Sequence, residues 1–130
     1  MIKISRRELA NYAADQLLAG VSAKKIARQL AAVLVVGKRQ NEAELLADDV
    51  AYELEVRGKF TMATVTSARH LSPKLRQEIT EAVRQAAAVE TAKLEEEVDQ
   101  TVLGGLRIET AAHSWDDTII RRLNDLRGAA

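Results

Sequence analysis

The sequence predicts an α+β protein: a three-helix segment over residues 1–58, then, over residues 59–130, a small mixed β-sheet covered by two helices. Three observations carry this reading. Before Gly58, apolar residues recur three times at helical spacing, each run opened by Ser or Asn and closed by glycine. After Gly58 the period changes, and Lys59-Phe60-Thr61-Met62-Ala63-Thr64-Val65-Thr66 has the β-branched and aromatic content of a strand. In the last third, Gly104-Gly105 precede an alternating run, Leu106, Ile108, Thr110, and ten residues after Gly105 comes Trp115-Asp116-Asp117-Thr118, which opens an amphipathic helix.

In the first helix Ser5 is the N-cap, Glu8 completes a capping box, and Ile4 and Leu9 staple the entry. Leu9, Tyr12, Ala13 and Leu17 form its apolar stripe, and Gly20 ends it. The second helix opens at Ser22 with Val21 and Ile26 as a staple. Ile26, Leu30, Val33 and Leu34 are its inner face, and Gly37 closes it. The third begins near Asn41 with Glu44 three residues later, buries Leu45, Leu46, Val50 and Leu54, leaves Tyr52 at the margin, and stops at Gly58. In the second half, Ser72-Pro73 is a helix start, an N-cap followed by proline at the first helical position. Leu75, Ile79, Ala82, Val83 and Ala86 give that helix its stripe. Val89 to Val98 reads as a strand with Ala92, Leu94 and Val98 inward and Lys93, Glu95 and Glu97 outward, although a continued alanine-rich helix fits the same residues. Strands follow over 106–110 and 112–115. The last helix runs from about Asp116 to Arg127, with Ile119, Ile120, Leu123 and Leu126 on its apolar face and Asp116 and Asp117 at its positive end.

Composition narrows the function. There are 130 residues, 47% of them hydrophobic but only 3% aromatic, so the core is aliphatic. No cysteine is present, which removes disulfides and thiolate metal sites. The longest wholly apolar run, Leu30 to Val36, falls far short of the roughly 20 residues of a membrane span. The start lacks the apolar core of a signal peptide, so the expected location is the cytoplasm. Net charge is zero, but residues 1–40 hold eight basic and two acidic side chains, a local surplus of six that the remainder balances. Such a split suits an anionic partner at one end. Against nucleic acid, the basic residues form no continuous face. Glu42, Glu44, Asp48, Asp49, Glu53 and Glu55 also make the third helix a poor recognition helix for phosphate.

No catalytic constellation emerges. His70 and His113 lack partners in sequence and read as ordinary loop or strand-edge histidines. Ser67 has no nucleophile-elbow setting, and Ser72 is explained as a cap. Glu95-Glu96-Glu97 and Asp99 read as a solvated strand edge, because alternation sends them to different sides. Gly104 and Gly105 form a structural turn and no phosphate loop, since a strand pattern follows them where a phosphate cradle needs a helix. Trp115 reads first as core, packed on the final helix, and second as an anchor at an interface. No cofactor and no metal is expected.

The order of these features resembles the delta subunit of F-type ATP synthases, the oligomycin-sensitivity-conferring protein family. The residues that carry the resemblance are Thr66-Ser67-Ala68 ending a strand, Leu71-Ser72 opening a helix, and Val98-Asp99 ahead of Val102-Leu103-Gly104-Gly105. Asp116 begins the final helix, with Asp117 and Thr118 where the family has glycine and serine. Residues 60–127 carry the pattern. The family usually begins with a six-helix bundle, and this chain offers three helices, the first reminiscent of the family at Arg6-Arg7 and Tyr12-Ala13. The resemblance implies a non-catalytic peripheral-stalk (stator) protein that links the catalytic head to the membrane-anchored b subunit and resists rotational torque. Its partners would be the N-terminal segments of the ATP synthase alpha chains and the C-terminal helices of the b chains, with membrane association only through the complex. Candidate contacts are Arg6 and Tyr12 for the former, and Leu106, Ile108, Trp115, Ile119, Ile120 and Leu123 for the latter. The alternative is a small cytoplasmic regulator that binds nucleic acid through the basic N-terminal helices.

Overall fold

The computed structural model describes residues 3–101 and 105–116. Gly104 and the expected final helix, including Ile119, Ile120, Leu123 and Leu126, lie outside the described residues. The chain divides into two compact units, Met1–Leu54 and Glu55–Ala130.

The first unit is helical. α1 spans Arg6–Leu18, α2 spans Ala23–Val36, and α3 spans Ala43–Val56 after a short 3-10 turn, Gln40–Glu42. Ser5 and Ser22 cap as expected: their hydroxyls accept hydrogen bonds from the amides of Glu8 (3.1 Å) and Lys25 (3.2 Å). Gly20 leaves α1 with φ 93°, and the Val21 amide reaches back to the Gln16 carbonyl at 3.0 Å, closing the last turn. Gly37 ends α2 as the sequence suggests, but not in the left-handed conformation usual for a glycine at a helix end. Gly37 is the C-cap with φ −85°, and Lys38 takes the left-handed conformation, φ 56°. The Arg39 amide then bonds the Leu34 carbonyl at 2.7 Å, and this helix-ending geometry holds a residue that normally avoids it. Asn41 is no cap either, because it lies inside the 3-10 turn. The unit's core gathers Leu9, Ala10, Leu34 and Leu46, with Leu30, Val33 and Val50 against them.

The second unit is built on a four-stranded mixed sheet, order β2-β1-β3-β4. β1 is Phe60–Ser67, α4 is Pro73–Ala87, β2 is Thr91–Val98, β3 is Leu106–Glu109 and β4 is Ser114–Asp116. β1 and β2 are parallel, in register from Phe60↔Thr91 to Ser67↔Val98, and α4 is the crossover such a pair requires. β3 returns antiparallel to β1, and β4 antiparallel to β3 with Ile108 opposite Trp115. Ser72 caps α4 at the Leu75 amide, 3.1 Å, with Pro73 behind it. Ala63, Val65 and Ile108 of one sheet face meet Ile79 and Val83 of α4, and all five are fully buried.

Residues 91–98 are therefore a strand and not a continued helix. Ala92 and Leu94 point inward as expected, but Val98 is 42% exposed, because it occupies the last rung of an edge strand. Asp116 pairs with Arg107 as the last residue of β4, so the ladder claims a residue whose sequence pattern suggests a helix start. Gly58 closes α3 with φ 74°, and a Cβ there would stand 3.1 Å from the Ala88 carbonyl oxygen.

Candidate partner-binding surfaces

In the first unit, α1 and α2 flank an apolar groove of about 290 Å³ lined by Ile4, Leu9, Tyr12, Gln29, Leu30 and Val33. Tyr12 is 43% exposed, and its hydroxyl donates to Gln29 Oε1 at 3.0 Å. Tyr12 and Gln29 are thus joined along the groove lining. Arg6, the other N-terminal candidate, lies elsewhere: its Nε donates to Asp49 of α3 at 2.5 Å, beside a second, polar concavity formed with Arg7, Tyr52 and Glu53.

The N-terminal basic surplus is partly spent inside the unit. Arg39 forks onto Glu42, with Nε 2.6 Å and Nη2 3.2 Å from its oxygens, and Nη1 donates to the Ile4 carbonyl at 2.6 Å. Hydrogen bonding to Arg39 holds the Glu42 carboxyl below its ordinary range. Arg6 and Arg39 are thus turned onto acids at the start and middle of the third helical segment.

In the second unit the candidate residues separate by depth. Ile108 is fully buried and belongs to the core; Leu106 and Trp115 are half-buried against it. Gly105 has φ 77°, the left-handed geometry a turn needs. Trp115 stacks on His113 with ring centroids 5.0 Å apart and planes 8° from parallel. Of the acidic run, Glu96 points to the core side and pairs with Arg76 and His70, while Glu95 and Glu97 are exposed on the other face. The Arg76 hydrogen bond depresses the Glu96 carboxyl below its usual range. Among the described residues no group of three or more acids and histidines is placed to hold a metal ion.

The most tightly held polar group of the second unit has no motif around it in sequence. Glu55, near the end of α3, is 2% exposed. It accepts from Thr61 Oγ1 at 2.5 Å and Thr110 Oγ1 at 2.9 Å, and contacts His113 Nδ1 at 2.6 Å. Burial alone would raise its pKa, but the hydrogen bonds from Thr61, His113 and Thr110, with the His113 charge, outweigh burial and lower it. The carboxylate ties β1, the β3–β4 turn and the end of α3 to one point. One signal is present in the sequence: an acid in the last turn of a helix opposes the helix dipole and needs another partner.

Helices with an apolar groove between them, together with a mixed sheet closed by one crossover helix, define a two-unit α+β protein whose prominent features are surfaces. The chain belongs to the ATP synthase delta (OSCP) subunit family, whose profile matches residues 3–129. A relative from Lysinibacillus sphaericus (strain C3-41), ATP synthase subunit delta, is 31% identical over 96 residues. The aligned region is 73% of this chain and 53% of that relative, so the chain spans about half the length of the relative it matches. No helix among the described residues is long and apolar enough to cross a membrane.

Proposed function

We propose that this protein is a non-catalytic peripheral-stalk component of an F-type ATP synthase. It joins the catalytic head to the membrane-anchored b subunit and resists the torque of rotation. Family membership supplies the complex, and the observation that carries the role is the α1–α2 groove, which has the apolar walls of a helix acceptor. In this reading an N-terminal helix of the alpha chain lies along Leu9, Tyr12, Leu30 and Val33, with the Tyr12 ring as its anchor. The second unit takes the b subunit through its sheet and the segment that follows β4, with Trp115 at the edge of that contact. A chain that transmits load without moving needs a stiff body, and the Glu55 tie stiffens the second unit.

The test is reconstitution with purified alpha and b subunits. Val33→Glu is expected to abolish alpha binding and leave b binding unchanged; deletion of residues 104–130 is expected to do the reverse. Retention of b binding after that deletion would refute the second assignment, and alpha binding indifferent to Val33→Glu would refute the first.

A further inference from the structure

One side chain joins the buried Glu55 carboxylate to Trp115. The His113 ring is stacked on the indole, 5.0 Å between centroids and 8° from parallel, and its Nδ1 lies 2.6 Å from Glu55 Oε2. The Glu55 side chain has no exposure, and its carboxyl is held below the ordinary range, so it is ionised and only accepts. Nδ1 therefore carries the proton and donates. The carboxylate is itself fixed by Thr61 Oγ1 at 2.5 Å and Thr110 Oγ1 at 2.9 Å. The backbone under the imidazole is fixed as well. The Thr110 amide donates to the His113 carbonyl at 2.8 Å, and the His113 amide donates to Thr110 Oγ1 at 3.0 Å. A ring nitrogen pinned to a buried oxygen sets the imidazole plane, and the stack passes that plane on to the indole.

Two observations favour position over packing as the purpose of this chain of contacts. The core of the unit is closed without Trp115, which is half-buried on β4 opposite the fully buried Ile108, while the His113 side chain is 44% exposed. A buried carboxylate, even with every hydrogen bond made, adds little stability over an apolar side chain of similar shape; what it adds is a direction. We infer that Glu55, acting through His113, presets the Trp115 ring for its contact with the b subunit. The inference rests on the stalk reading for the identity of the partner and on the geometry for the means. A side chain that settles into one rotamer on binding costs affinity, and one already held in place costs none. Glu55 and His113 are thus positioning residues, and neither needs to touch the partner.

Calorimetric titration of the whole chain with purified b subunit tests it. Trp115→Ala is expected to weaken binding at least about tenfold. His113→Asn keeps an amide donor where Nδ1 stood and removes the ring. It is expected to leave the far-ultraviolet circular dichroism unchanged, to reduce the indole band in the near ultraviolet, and to weaken b binding about three- to tenfold. In the Trp115→Ala background the same substitution should cost nothing further, because its effect passes through the indole. If His113→Asn unfolds the chain, His113→Gln serves in its place. Full b binding by His113→Asn, with Trp115→Ala weakened, overturns the inference and leaves the stalk reading standing. So does a loss that recurs undiminished in the absence of the indole, and so does full binding by Trp115→Ala. A chain that does not bind b at all refutes the stalk reading itself, and the preset indole falls with it.

Discussion

The two units solve the same packing problem differently. The second closes its core: Ala63, Val65, Ile79, Val83 and Ile108 are all without exposure, and its deeply buried acid, Glu55, has three partners. The first leaves apolar surface open. Its core relies on alanines, while Val35, Val36, Leu45 and Tyr52 stand in solvent, Val36 at 79% exposure. A sheet with a crossover helix encloses its side chains between two layers, whereas three helices leave grooves that only a further element can fill. The contrast separates a unit with an enclosed core from one that leaves apolar surface exposed.

Truncating the enclosed core should produce the largest effect. Ile79→Ala is expected to destabilise the second unit by about 3–4 kcal/mol, read by denaturant unfolding with Trp115 fluorescence as the probe. A loss below about 1 kcal/mol would mean the core is not closed.

The Glu55 tie comes next. Glu55→Gln is expected to cost about 1–3 kcal/mol, because an amide brings a donor where three donors already converge. The sign with pH follows from its lowered pKa. The stabilisation is present above the ordinary carboxylate range and is lost as pH falls through the depressed folded value. Wild-type and Glu55→Gln melting temperatures should therefore converge in acid, and parallel curves down to that range would remove the tie from the account.

Smaller effects sharpen the contrast at the element ends. Gly58→Ala is expected to cost about 1–2 kcal/mol, since φ is 74° and the added methyl meets the Ala88 carbonyl, and the cost should appear in the thermal midpoint. Ser72→Ala removes the cap of α4 and should cost about 1 kcal/mol in the same measurement. Last, Val36→Thr in the open unit should change stability by less than about 0.5 kcal/mol, and a larger loss would show Val36 already covered.

Much of this architecture is written in local chemistry. Ser5, Ser22 and Ser72 each precede a helix and cap it, and the change of period at Gly58 marks the passage from helix to strand. Cap and period are decided by residues within a turn of one another, which is why a sequence reveals them. The left-handed Lys38 has no such local signature, because it is stabilised by the bond from Arg39 to Leu34, an arrangement of the folded helix end. Asp116 is equally illegible as a strand residue, since its strand exists only opposite Arg107. The Glu55 cluster spans 58 residues to His113, and no local pattern announces so distant a partner. The α1–α2 groove is legible only as two amphipathic helices, since the sequence shows which faces are apolar but not which of them stay uncovered.

The register of β1 against β2 also orders events in time. Phe60 waits for Thr91, a partner 31 residues later, and the sheet cannot enclose Val65 until Ile108 has been added on the other side. The first unit is complete in sequence once Asp49 of α3 has emerged to meet Arg6, so it can form while the rest of the chain is still being synthesised. A translating ribosome thus exposes the grooves of the first unit before the closed core of the second exists.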